Sequence, residues 1–174
     1  TSKRLKVTPF LRAAHRLDRP ASGILVMAKT KTALTNLMAQ FENRTVDKVY
    51  LATTERSPTL PSAELRHWLK KDDEGKKALI TEQQVRNSQL ATLTYRTLVR
   101  VGKGALLEIK PTTGRFHQIR SQLAHIGCPI VGDLAYGAHF WHLDQIKLHA
   151  HRLQLLHPKT NEPLVIESPQ PSDW

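Results

Sequence analysis

The run of apolar and polar positions divides this chain into short strands and two amphipathic helices. Residues 23–29 are nearly continuous in apolar side chains and include Ile24 and Val26, which predicts a buried strand. Thr30 then stands where a helix N-cap belongs. Leu34, Leu37, Met38 and Phe41 follow at i, i+3, i+4 and i+7, the stripe of a helix with its apolar face in the core. Residues 48–52 open a strand of β-favouring side chains, 57–62 carry two prolines and read as a loop, and 64–69 predict a short strand. The charged run 70–77 reads as a solvated hairpin turning at Gly75. Residues 90–100 alternate Leu93, Tyr95, Thr97 and Val99 against Thr92, Thr94, Arg96 and Leu98. Gly102 and Gly104 then supply a turn into a partner strand at 105–109.

The second helix is expected after Pro111, capped by Thr112 or Thr113. Its apolar face is Phe116, Ile119, Leu123 and Ile126, and Gly127 and Pro129 end it. Arg115, His117, Gln118 and Arg120 crowd its first turns. They read either as the solvated side of a capped helix or as a helix N-terminus facing phosphate and carboxylate. Residues 132–144 read as loop, 147–156 as a strand, 158–161 as a turn and 164–167 as the last strand.

At 174 residues the chain is expected to form one domain, residues 1–174, with a core of its own. Its 26 Lys and Arg exceed 15 Asp and Glu, for a net charge of +11. Such an excess favours a polyanionic partner, and nucleic acid before a membrane, because no long basic amphipathic helix is evident. The lone Cys128 rules out an internal disulfide and suits a reducing compartment. No apolar run approaches a membrane span, and residues 1–20 have no signal-peptide core, so a cytoplasmic location is the expectation; oligomeric state is open, with a monomer as the default. His139, His142, His149 and His151 lack a thiolate pair and a ligand spacing, and no metal is expected.

The richest stretch chemically is His15-Arg16-Leu17-Asp18-Arg19-Pro20-Ala21-Ser22-Gly23. It sets one carboxylate between two arginines, in a turn stiffened by Pro20 and bent at Ser22-Gly23. Local chemistry alone allows a solvated surface turn as well as a rigid mount for one acid. The stretch resembles the central motif of the RluA-type pseudouridine synthases, with Ala21-Ser22-Gly23 where that family usually has Thr-Ser-Gly. Lys48-Val49-Tyr50, the run from Leu107 through Gly114-Arg115-Phe116-His117-Gln118-Ile119-Arg120, and Cys128-Pro129-Ile130-Val131-Gly132-Asp133 resemble further signatures of that family in the same order.

The resemblance implies an α+β pseudouridine synthase fold, a mostly antiparallel, bent, mixed sheet with flanking helices and a central active-site cleft. It implies an isomerase acting on uridine in rRNA or tRNA without a cofactor, on a nucleotide flipped out of its stack. It makes Asp18 the catalytic acid, Arg120 its ion-pair partner and Tyr50 the ring stacked on the target base. Arg16 would fill the vacated stack and Ile130 would wall the pocket. Arg19, Lys48, Arg115 and His117 are the remaining candidates for RNA contacts. The family's opening strand, with its Lys-Pro-x-Gly turn, is expected to be missing because the chain begins too late to hold it. That leaves a non-catalytic RNA-binding or chaperone module as the alternative.

Overall fold

The computed structural model describes residues 9–72, 74, 76–139, 145–172 and 174. Gly75 and His142, both read from sequence above, lie outside them. In chain order the elements are β1 (Arg12–Ala13), β2 (Ser22–Gly23), β3 (Met27–Ala28), α1 (Lys31–Glu42), β4 (Asp47–Thr54), β5 (Ser62–Lys71) and β6 (Ala78–Thr81). There follow β7 (Gln89–Val101), β8 (Gly104–Pro111), α2 (Gln118–His125), a single 3-10 turn (Leu134–Tyr136), β9 (Leu148–Leu156) and β10 (Pro163–Glu167). An eight-stranded sheet runs β10-β9-β4-β8-β7-β5-β6 with every neighbour antiparallel. β2 joins it in parallel with β9, so the sheet is mixed as the resemblance implied.

Periodicity holds where the backbone stays regular. On β7, Ala91, Leu93 and Tyr95 point into the core. A register shift between Thr97 and Val99 then ends the alternation, and Val99 is 52% exposed. Thr30 caps α1 as expected, its Oγ1 accepting the Ala33 N–H at 3.1 Å. Leu37 is the buried member of the α1 stripe, whereas Met38 is 51% exposed and lies on the cleft described below.

Two expectations are corrected. Residues 23–29 are not one buried strand. Gly23, at φ +111°, turns the chain off the sheet, Ile24 and Ala28 are buried, and Leu25 and Met27 face outward. The second helix begins at Gln118 rather than beside Thr113, because His117 adopts a left-handed φ of 49° that no helix turn accommodates. Thr113 Oγ1 is occupied elsewhere, accepting the Thr92 N–H at 2.9 Å and donating to Gln118 Oε1 at 2.7 Å. Gln118 completes the latch by accepting the Arg115 N–H at 3.0 Å and donating through Nε2 to Thr92.

The main core packs Ile119 and Leu123 of α2 with Leu93, Leu107, Ile109 and Ile130. A second core joins Leu37 of α1 to Leu153 and Leu155 of β9, with Ile24 and Ala28 between. Each fully buried Leu or Ile contributes on the order of 1.5–3 kcal/mol relative to exposure. The space between the helices, bounded by the loop after β1 and by β4, is left open.

Candidate active site

The loop after β1 carries Asp18 and is tied down on several sides. The Ala21 N–H donates to the Asp18 carbonyl at 2.9 Å, closing a turn around Arg19 and Pro20. Ile146 N–H reaches the Pro20 carbonyl at 2.9 Å, and Ile24 N–H reaches Ala150 at 3.0 Å. Ser22 Oγ lies 2.8 Å from His149 Nδ1, and the other His149 nitrogen lies 3.1 Å from Ser168 Oγ. His15 anchors the opposite end. Its Nε2 accepts the Val26 N–H at 3.1 Å and its ring stacks on Phe41 at 4.5 Å. Burial lowers the pKa of His15, which agrees with the neutral acceptor this bond requires.

Asp18 thus projects into a cavity of about 740 Å³. Ala21, Met38, Phe41, Tyr50, Ile119 and Leu148 supply its apolar lining, and Arg16, Lys48, Arg115 and His117 line it as well. Tyr50 reaches it from β4, beside a bulge where Val49 faces Arg152 and Tyr50 faces Ala150, leaving His151 unopposed. Bulges re-aim side chains in this way. Burial, with the Asp18 charge second, pushes the Tyr50 phenol up to about 12.

Arg120 approaches Asp18 from behind the cavity wall. Its planar fork is taken by Asp133: Nε donates to Oδ2 and Nη2 to Oδ1, each at 2.7 Å. Asp133 is only 1% exposed, so its charge is held in the interior by this bidentate pair. The remaining Nη1 donates to His117 Nε2 at 3.0 Å and stands 3.5 Å from Asp18 Oδ2. Arg120 therefore meets Asp18 through one nitrogen in the longer ion pair, while its bidentate fork is given to Asp133.

A tautomer follows from these contacts. An arginine can only donate, so His117 Nε2 carries no proton and Nδ1 does. His117 Nδ1 then donates to Tyr136 Oη at 2.9 Å, and Oη also accepts the Ala78 N–H at 2.7 Å. The Arg120 guanidinium lies 5.0 Å from the Tyr136 ring centre. Burial raises the Tyr136 pKa to about 12. Burial first, and the Arg120 charge second, lower that of His117, as a neutral imidazole here requires.

Of the sequence candidates, Asp18, Tyr50, Arg16, Lys48, Arg115 and His117 meet at one cleft, with Arg120 behind it. Arg19 is exposed and off the cavity wall. Ile130 is 0% exposed within the main core and does not line the cavity either, its place being set by a bridge to Thr54. Asp133, Tyr136 and the Gln118 latch were given no role from sequence. The available signal was that a buried Arg120 needs carboxylate acceptors beyond Asp18. Glu42 also lines the cavity, but among its carboxylates only Asp18 touches a buried guanidinium. Among the described residues no cluster of three or more His, Cys, Asp or Glu is placed to hold a metal.

Residues 1–125 match the RNA pseudouridylate synthase family, and the chain belongs to it. It is 34% identical to tRNA pseudouridine synthase C of Vibrio cholerae, over 92% of this chain and 72% of that protein. It is 33% identical to ribosomal large subunit pseudouridine synthase D of Pseudomonas aeruginosa, over 92% of this chain and 53% of that one. Among solved structures, human RNA pseudouridylate synthase domain containing 4 superposes with a TM-score of 0.79 at 26% identity. That match covers 94% of this chain and 72% of the human one. Domain containing 1 superposes at 0.80 with 28% identity, covering 92% and 69%.

Proposed function

We propose that this protein isomerises uridine to pseudouridine in rRNA or tRNA, with Asp18 as the catalytic residue. The observation that carries the assignment of roles is the pairing of a cavity-facing Asp18 with Arg120, itself fixed by buried Asp133. The reaction breaks the N1–C1′ bond, turns the uracil and joins C5 to C1′. C5 loses its proton and N1 gains one, so nothing is oxidised and no group donor is consumed. Asp18 serves as nucleophile at the sugar or as the base that removes a sugar proton, and both routes need its carboxylate aimed at one face of the ribose. Arg120, reaching it from behind, is a positioning residue.

Tyr50 stacks on the uracil, an interaction worth ~1–3 kcal/mol per base. With a pKa near 12 its hydroxyl stays protonated at neutral pH, so any proton it takes from C5 must be passed on within the same step. Exposed Arg16 enters the stack the nucleotide vacates, and Lys48 and Arg115 hold phosphates. One chain carries this whole set of groups, so a monomer suffices. The single buried thiol of Cys128 fits a cytoplasmic setting.

Asp18→Asn tests the assignment. Pseudouridine formation, read by chemical mapping of a uridine-containing transcript, should fall by several orders of magnitude while RNA affinity is kept. Retained turnover would remove Asp18 from its role. Tyr50→Phe should keep RNA affinity, whereas Tyr50→Ala should lose stacking as well, and equal damage from both would refute the stacking role.

A further inference from the structure

Beyond the cleft, Phe116 forms part of a second cavity of about 410 Å³, lined also by Lys71, Asp72, Asn87, Gln89 and Arg115. Lys71, Arg115 and Phe116 line both cavities, so the two adjoin across the Phe116 ring. Phe116 is a fixed divider: the His117 ring stacks on it at 3.8 Å, with Lys71 Nζ 4.9 Å and Arg16 Cζ 6.0 Å from its centre. The Arg115 side chain is held by one bond, Nε donating to the Leu90 carbonyl at 3.1 Å. That leaves its two Nη groups without a protein acceptor among the described residues. The one carboxylate on this wall has an oxygen committed to its own loop. Asp72 Oδ1 accepts the N–H groups of Lys76 and Lys77 in its own loop.

The two cavities differ in chemistry. The first offers aromatic and aliphatic walls suited to a base. The second sets the Asn87 and Gln89 amides beside the Lys71 ammonium and Arg115 guanidinium that the two cavities share, groups that suit phosphates and ribose hydroxyls. We infer that the RNA strand adjoining the target nucleotide passes over Phe116 and lays its sugar–phosphate backbone in this second groove. The protein then engages a stretch of single strand on one side of its target, beyond the flipped nucleotide alone. The inference rests on the RNA reading above.

Gln89 is the position on which to test it, because it is exposed, lies at the start of β7 and lines only the second groove. Gln89→Lys and Gln89→Glu would be compared by fluorescence anisotropy. The probes are a single-stranded RNA with a central uridine and two shorter versions, each lacking the strand on one side. On the full RNA the two variants should shift affinity about fivefold in opposite directions, the effect of one charge near a phosphate across water. The slope of log K against log salt should move by about 0.7 each way. On one of the two shortened RNAs, the version lacking the strand that fills the groove, both variants should match the unsubstituted protein. Equal shifts on all three RNAs would mean only a general field effect and would overturn the inference, as would no shift on any. Failure of the pseudouridine reading looks different: the unsubstituted protein would form no pseudouridine in any RNA, whatever the Gln89 contrast.

Discussion

Arg120 shows how one side chain can divide its nitrogens between two carboxylates, one buried and one facing the cavity. Nε and Nη2 neutralise buried Asp133, while Nη1 alone faces Asp18 and His117. Removing one partner of a buried pair strands the other charge, at a cost of about 3–5 kcal/mol. Asp133→Asn should therefore lower unfolding stability by roughly that amount in urea denaturation, and a change within 0.5 kcal/mol would show that the pair is not carrying charge in the interior. His117 makes a second prediction at this scale. Protonating Nε2 would set a donor against a donor at Arg120 Nη1, pushing that nitrogen from its place beside Asp18. Because burial and then Arg120 lower the His117 pKa, the neutral form still prevails at 6.5 and is lost only as pH falls through the lowered value beneath it. The turnover number should drop on that acid side. His117→Gln, whose amide oxygen accepts at any pH, should flatten the acid limb, and an unchanged limb in that variant would assign it to another group.

At the scale of elements, the site depends on how the acid loop is laid against β9. Gly23 is the critical position, since it combines a φ of +111° with a backbone so close to Ala150 that any Cβ would collide with it. Gly23→Ala should cost about 1–3 kcal/mol in strain and displacement. Turnover should fall further than RNA affinity, because the loop that moves carries Asp18. Equal losses in both would point to general unfolding instead. Which elements exist was legible in the sequence wherever one period persisted, as in α1 with its Thr30 cap and in β7 up to Tyr95. Legibility ended at single-residue irregularities: the turn at Gly23, the bulge beside Val99 and the left-handed His117. A period of apolar residues carries no trace of these. The site was legible in parallel fashion. Asp18, Tyr50 and Arg120 stand in local motifs, whereas the bond from Arg120 to Asp133 joins a helix to a loop, and only the fold brings those together.

For the whole molecule, four histidines on separate parts of the fold share one electrostatic condition. His15 before β2, His67 on β5, His117 before α2 and His149 on β9 all have pKa values lowered chiefly by burial. In the unfolded chain each would titrate near 6.5. Above that pH both states hold these rings neutral and stability is fully present. As pH falls through 6.5 toward the lower folded values, the unfolded state binds protons that the folded state refuses, and stability is lost. A chain of net charge +11 adds self-repulsion of the same sign as its histidines charge. The two contributions separate by salt, because repulsion between surface charges is screened while the cost of charging a buried ring is screened far less. Urea midpoints measured from pH 8 to pH 5 should therefore be level at first and then decline below 6.5, with a substantial part of the decline surviving in 0.5 M salt. A profile level throughout would show that these rings meet water in the folded state as freely as in the unfolded one. A decline abolished by salt would assign acid sensitivity to the basic surface, and with it the view that neutral buried imidazoles tie the acid loop and Arg120 in place would fail.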